Sequence, residues 1–184
     1  LPLLDKTILH NRLDGLKAGD LDKRRWHYNT RGGSTGQLAR FVQDAAYDNA
    51  GQASKALLDE WTGYVKGMPK AVLWGSARDL LAGKDTLRTR LGRYLRNEYP
   101  LNTFRMTAAD MRSFVATINR IRPVQILAYA DAAFELARFI ESEGLRVHSP
   151  KALMTSATTL YPHMRDMIER VFSAPVFNRY GSRE

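Results

Sequence analysis

The second half of the sequence predicts an α/β fold with a mostly parallel sheet flanked by helices. Short apolar runs of strand character alternate there with longer stretches of helical periodicity, from about residue 70 onward. The links between them are short and marked by glycine or proline, as in strand–helix–strand crossovers. In addition, 44% hydrophobic residues in a chain of 184 supply the apolar material for one domain, or for a large piece of one.

Taken in order, residues 7–16 carry a weak helical pattern, and Trp26 and Tyr28 lead into a glycine-rich stretch. Residues 38–44 alternate loosely and predict a short strand. A helix follows, with Ala46, Ala53, Ala56, Leu57, Trp61 and Tyr64 as its expected apolar face. Gly67-Met68-Pro69 breaks the pattern, residues 71–74 read as a buried strand, and Gly75 ends it. Residues 77–82 look like a helix start, and 86–99 like an arginine-rich helix stopped by Pro100. A strand is expected at 101–106.

Thr107 with Asp110 three residues on has the form of a capping box, opening a helix that runs to about Arg122. Residues 124–129 read as a strand, followed by a helix to about Glu143 that Gly144 closes. Val147 marks a short strand before the Ser149-Pro150 turn, and 152–155 a longer one. A helix at 160–172 and a strand at 175–180 complete the pattern. In such sheets ligands bind beyond the carboxyl ends of strands, so the turns after Trp74, Tyr129, Thr155 and Tyr180 are where a site is expected.

Composition narrows the function. The chain has no cysteine, which removes disulfides, zinc–thiolate sites and thiol nucleophiles, and it fits a cytoplasmic protein. No apolar run approaches the roughly 20 residues that span a bilayer, so no membrane partner is expected. Lys and Arg number 28 against 19 Asp and Glu, a net charge of +9 that suits polyanionic partners such as nucleotides, coenzymes or nucleic acid. Arg88, Arg90, Arg93 and Arg96 lie around much of one helix rather than in a stripe, which reads as a solvated face. His10, His27, His148 and His163 show no metal-ligand spacing, and Gly75-Ser76-Ala77-Arg78 is not a G-x-S-x-G elbow. The chain opens at Leu1 rather than Met and stops at Glu184 just after an aromatic–glycine turn, which reads as a piece of a longer protein.

Two segments carry the chemistry. Thr30 to Gly36 holds three glycines and three hydroxyl side chains beside Arg31. Glycine lets successive N–H groups turn inward around an anion, and the hydroxyls add donors, a combination suited to phosphate. It is not a P-loop, because Gln37-Leu38 rather than Lys-Ser/Thr follow Gly36, and the G-x-G-x-x-G spacing is absent. At the far end, Asn178-Arg179-Tyr180-Gly181-Ser182-Arg183-Glu184 follows a strand. Tyrosine can stack on a base there, and a carboxylate can hold Mg²⁺.

Together these segments resemble the adenylate-forming (acyl-CoA synthetase-like) enzyme superfamily. Gly33-Ser34-Thr35-Gly36 matches the core of its phosphate loop, usually Ser/Thr-Ser/Thr-Gly-Ser/Thr-Thr-Gly-x-Pro. Asn178-x-Tyr180-Gly181-x-x-Glu184 is similar to its N-x-Y-G-x-T-E segment. Leu1-Pro2-Leu3-Leu4-x-Lys6, Val72-Leu73-Trp74-Gly75 and the Y-G-S-R-E ending look most like the phenylacetate–CoA ligase and CapK-like branch. The resemblance implies that residues 1–184 are part of the large N-terminal nucleotide-binding domain, without the mobile C-terminal domain. It implies a two-step reaction, in which a small-molecule carboxylate attacks ATP to give an acyl-adenylate and a thiol such as coenzyme A then takes the acyl group. Aromatic-acid metabolism or polysaccharide biosynthesis would be its setting.

Carried over residue by residue, Gly33, Ser34, Thr35 and Gly36 would cradle the ATP phosphates, with Arg31 and Gly32 beside them and Thr35 taking part in catalysis. Tyr180 would pack on adenine next to Asn178 and Gly181, and Glu184 would be the catalytic Mg²⁺ ligand. Ser156, Ala157 and Thr158 would form the strand-end loop near the adenine, and Tyr129 would line the acyl pocket. The departures are Arg31 and Gly32 for two hydroxyl residues, Leu38 for proline, Arg183 for threonine, and Ala157-Thr158 for a frequent Gly-Glu pair. The family's ribose-binding aspartate, hinge and mobile-domain lysine have no counterpart in these residues, so this chain alone is expected not to complete adenylation. Two other readings stay open: a non-catalytic relative that binds nucleotide or acyl group, and, more weakly, a basic nucleic-acid-binding module.

Overall fold

Strands β3 (Lys70–Leu73), β4 (Glu98–Leu101), β5 (Gln125–Tyr129), β6 (Ala152–Ser156) and β7 (Val176–Arg179) form one parallel sheet in the order β4-β3-β5-β6-β7, in a computed structural model that describes residues 6–32, 38–75 and 87–181. The chain divides into two compact units, Leu1–Leu57 with Ser182–Glu184, and Leu58–Gly181. Each is described by itself.

In the first unit, helix α1 (Lys6–Asn11) and two 3-10 turns precede an antiparallel hairpin of β1 (Trp26–Gly32) and β2 (Leu38–Asp44). The register runs from Trp26 opposite Asp44 to Gly32 opposite Leu38, so residues 33–37 connect the paired ends. The strand expected at 38–44 is present. Its partner β1, read as an approach to the loop, is a strand as well. An antiparallel strand that is exposed along most of its length needs no apolar run, so β1 carries polar residues at most positions. Leu38 begins β2, a position where proline would bring no N–H to the pairing.

Helix α2 (Ala45–Trp61) starts at Asp44, whose Oδ1 accepts the Tyr47 N–H at 2.9 Å while its Oδ2 accepts from Arg24 at 2.9 Å. The backbone N–H of Tyr47, then Arg24, hold this carboxyl below the usual range, as expected for an acidic cap. The apolar face expected on α2 is not buried. No residue of the helix is buried, and Leu57 and Trp61 are 50% and 61% exposed. Three of its expected face residues are alanines, which keep the helical period but bury little apolar area. Tyr64 is buried, but it lies beyond the helix end.

The second unit contains β3 (Lys70–Leu73), α3 (Leu87–Arg96), β4 (Glu98–Leu101), α4 (Ala108–Ile121), β5 (Gln125–Tyr129), α5 (Ala130–Ser142), β6 (Ala152–Ser156), α6 (Pro162–Phe172) and β7 (Val176–Arg179). The expected α/β class with a parallel sheet is observed. The helix start expected at 77–82 lies outside the described residues. Two boundaries differ from expectation. The arginine-rich helix ends at Arg96, because Asn97 turns into the left-handed region (φ +56°) and releases the chain into β4. Pro100 therefore sits inside a strand rather than stopping a helix, and of the expected strand 101–106 only Leu101 is in one. An edge strand tolerates this, since one side of its ladder is unpaired. Val147 belongs to no strand, as the chain from 145 to 150 is irregular.

The core lies on one face of the sheet. Ala71, Leu73, Leu101, Ile126, Ala128, Leu153 and Val176 pack against Phe114, Val115 and Ile118 of α4, Leu136 and Ile140 of α5, and Ile168 and Phe172 of α6. The capping box read from sequence is formed: Thr107 Oγ1 accepts the Asp110 N–H at 3.2 Å, and Asp110 Oδ2 accepts the Thr107 N–H at 3.1 Å. Near the amino ends of β3 and β5, a buried polar group joins Asp59 to Lys70 at 2.9 Å and to Gln125 at 3.0 Å, and Gln125 also donates to Thr62.

Candidate functional site

The strand order contains one reversal. From β3 the chain moves to β4 on one side, then crosses back to β5 on the other, which opens a crevice outside the carboxyl ends of β3 and β5. Trp74, just past β3, and Tyr129, the last residue of β5, stack at that point with ring centroids 4.0 Å apart and planes 28° apart. Gly75 is required beside them. A Cβ there would lie 2.1 Å from Asn102 Oδ1 and 2.9 Å from the backbone nitrogen of Thr103. Asn102 is in turn fixed by accepting the Phe104 N–H at 3.0 Å.

At the end of β6, Thr155 and Ser156 are buried. Ala157 has φ +73°, and the Thr158 N–H bonds the Ser156 carbonyl at 3.0 Å, which closes a γ-turn of the strained, positive-φ kind. That turn brings the Thr158 hydroxyl to the first turn of α5, where it accepts the Asp131 N–H at 3.4 Å. At the end of β7, Thr155 Oγ1 lies 3.4 Å from Asn178 Oδ1. Tyr180 is 95% exposed, with its ring free to meet a ligand, and Gly181 follows it.

Strand pleat sorts these residues into two rows. Side chains that are register partners in a parallel pair share a face, and successive residues alternate. Leu73, Ala128, Thr155 and Asn178 lie in register on the face that the helices cover. Tyr129, Ser156 and Arg179 lie in register on the other face, with Trp74 beside Tyr129. The Arg179 guanidinium has no hydrogen-bond or ion-pair partner among the described residues. Burial pushes its pKa down, and the negative charge of Asp59 partly opposes that.

No family model matches the chain. Protein CapK of Staphylococcus aureus is 29% identical over 157 residues, covering 83% of this chain and 34% of CapK. 2-Hydroxyisobutyryl-CoA ligase, solved in the postadenylation state with 2-HIB-AMP, matches with a TM-score of 0.62 and 18% identity, over 99% of this chain and 39% of its own. Malonyl-CoA ligase, solved with methylmalonyl-CoA and AMP, matches with a TM-score of 0.55 and 16% identity, over 84% and 32%. The sequence likeness is to CapK, and the fold is shared with acyl-CoA ligases.

The chain spans about a third of the length of CapK. In this ligase-like fold, Tyr129, Ser156, Ala157, Thr158, Asn178, Tyr180 and Gly181 all come together at the carboxyl edge of the sheet. Arg31 and Gly32 close β1 in the first unit. Gly33, Ser34, Thr35, Gly36 and Glu184 lie outside the described residues. Arg179 falls at a variable position of its motif, and at Trp74 the sequence marks the following turn as a site position but not the ring itself. Extending the period-2 alternation of β7 and β6 would have put Arg179 in line with Ser156 and Tyr129. Among the described residues, no group of three His, Asp or Glu is arranged to hold a metal, and no helix is long and apolar enough to cross a membrane.

Proposed function

We propose that this chain supplies the nucleotide- and acid-binding part of an adenylate-forming acid ligase. One observation carries the reading: seven residues singled out by motif from separate parts of the sequence converge on one edge of a sheet, in a fold shared with ligases solved with acyl-AMP, AMP and CoA. Residues 33–36 would hold the ATP phosphates, the exposed Tyr180 ring would take the adenine, and the Tyr129 side of the edge would take the acid. A carboxylate oxygen forms a bond to the α-phosphorus as pyrophosphate leaves. A thiol such as that of coenzyme A then displaces AMP and loses its proton. The protein's part is to place two anions in line and keep water away. Mg²⁺ would be held by Glu184 and would neutralise phosphate charge there.

Carboxylate-dependent ATP–pyrophosphate exchange by the full-length protein tests this reading. Exchange above background is the expected result, reduced at least about a hundredfold by Glu184→Ala, within the range seen when one electrostatic stabiliser is removed. A panel of carboxylic acids that all fail to support exchange would overturn it.

One observation favours a second reading, a non-catalytic binding relative. Ala157 occupies a backbone conformation suited to glycine, and the Thr158 hydroxyl already caps α5, so the strand-end loop serves the fold as well as any ligand. ATP binding by calorimetry without exchange would select that reading.

A further inference from the structure

Helix α3 (Leu87–Arg96) is amphipathic, but its apolar side is turned outward. Leu91, Tyr94 and Leu95 form one stripe at i, i+3 and i+4, and they are 57%, 81% and 71% exposed. Gly92, Arg93 and Arg96 lie on the opposite side of the helix and are half-buried. Arg96 folds along Gly92, where a Cβ would come within 3.2 Å of its guanidinium, and its Nε donates to Glu98 Oε2 at 3.0 Å at the start of β4. Arg93 and Arg96, expected on a solvated face, are thus half-buried, and the solvated face of this helix is the apolar one.

Three large apolar side chains standing in one stripe in water call for a surface to cover them. The charge around the stripe selects that surface. At 3.6 residues per turn, positions 88 and 90 fall on its two borders; both are arginine, and none of the ten residues is acidic. A second copy of the helix laid on the first would bring the arginine borders together. An anionic bilayer supplies what the pattern matches on every side, an apolar depth under a layer of phosphate. Ten residues, about 15 Å of helix, are too short to cross a bilayer but can lie along its surface.

We propose that α3 docks this protein on an anionic membrane surface, with Leu91, Tyr94 and Leu95 set into the interfacial layer and the arginines at positions 88 and 90 against lipid phosphate. Tyr94 suits that depth, because its ring is apolar while its hydroxyl stays among the headgroups. Three apolar side chains and a few cations hold a protein reversibly rather than permanently. The docking does not depend on acid activation, since α3 carries none of the residues assigned to ATP or to the acid.

Vesicle flotation of the intact chain tests this. The chain is expected to float with phosphatidylcholine vesicles containing about 30% phosphatidylglycerol and not with phosphatidylcholine alone, and to be released as salt rises from about 50 to about 500 mM. Leu91→Ser with Leu95→Ser keeps every charge and should weaken the partition at least about tenfold. Arg88→Gln with Arg90→Gln keeps the apolar stripe and should weaken it about as much. Because the stripe is exposed, the serine variant should unfold within about two degrees of wild type. The proposal is overturned if the chain floats with neither vesicle or equally with both, or if the serine variant floats as well as wild type, which would leave net charge alone as the cause. A drop of several degrees in that variant's unfolding midpoint would overturn it by giving the stripe a structural role. So would a lipid-free dimer in sedimentation velocity that the serine substitutions dissociate, since the occupant would then be a second copy. Flotation by this chain but not by the full-length protein would assign the stripe to another part of the same polypeptide and overturn it too.

Discussion

The hairpin of the first unit and the sheet of the second each end in a segment assigned to ligand, yet they are held by different forces. In the hairpin, Tyr28 lies between two cations, with Arg40 Cζ 3.5 Å and Lys17 Nζ 5.3 Å from its ring centroid, and Trp26 meets it edge-on at 5.0 Å. Arg24 ties Asp20 to Asp44. These groups are largely exposed, where ion pairs and cation–π contacts each contribute little and salt screens them. The sheet instead rests on fully buried aliphatic side chains such as Leu73, Ile126, Leu136, Leu153 and Ile168. The difference teaches a division of labour. The edge that would orient the acid and adenine is a stiff platform, while the paired strands β1 and β2 can open at low cost.

Breaking the platform should give the largest effect. Leu153 is fully buried in β6, between β5 and β7, and truncation to alanine leaves a cavity in a layer that cannot collapse onto it. Leu153→Ala should destabilise the second unit by about 2–5 kcal/mol. Urea unfolding followed by amide exchange checks this, with protection lost across β5 to β7 and unchanged in β1 and β2. Equal loss of protection in the hairpin would contradict the division.

Acid should act in the opposite sense, on the hairpin first. Asp14, Asp20 and Asp44 each titrate below the ordinary 3.8: Asp14 chiefly through Lys17, Asp20 through Arg24, and Asp44 through the Tyr47 amide and then Arg24. A carboxyl whose folded pKa is depressed stabilises the fold above its unfolded value, and that stabilisation disappears as pH falls through the folded one. Lowering pH from 5 toward 3 should therefore loosen β1–β2 while the aliphatic sheet stays protected. Residue-resolved amide exchange is the readout, and added salt at neutral pH should mimic part of the change.

The same contrast explains what the sequence revealed. β5 and β6 were legible because each is a short apolar run bounded by Pro123, Pro150 and Gly144. Helix α4 was legible because Thr107 and Asp110 stand at the spacing of a capping box. The hairpin was half legible, since Trp26 to Gly32 pairs through exposed backbone and needs no apolar pattern to do so. Helix α2 misled because alanine supplies the period of a buried face without the area. Pro100 misled because its meaning depends on whether the strand is at an edge, which local sequence does not state. At the site, the motifs name the residues proposed for the nucleotide, whereas Arg179 comes into line with Ser156 and Tyr129 only through strand register.

The smallest predicted change lies within the platform itself. Ala157 stands at φ +73° in the γ-turn that ends β6, a conformation costing an L-residue about 1–2 kcal/mol relative to the right-handed regions. Glycine would remove that strain but loses about 0.5–1 kcal/mol more to the entropy of the unfolded chain. Ala157→Gly should therefore be stabilising by at most about 1.5 kcal/mol, a shift of a few degrees in the unfolding midpoint. Its effect on binding should be more informative than its effect on stability. The Ser156–Thr158 hydrogen bond and the Thr158 contact with Asp131 both depend on this turn being held, and alanine restricts it more than glycine does. If the strained turn holds this strand end in place for the adenine, the glycine variant should be as stable as wild type or more so while binding AMP several-fold more weakly. Unchanged AMP affinity would mean that the strain serves the β6–α6 connection alone.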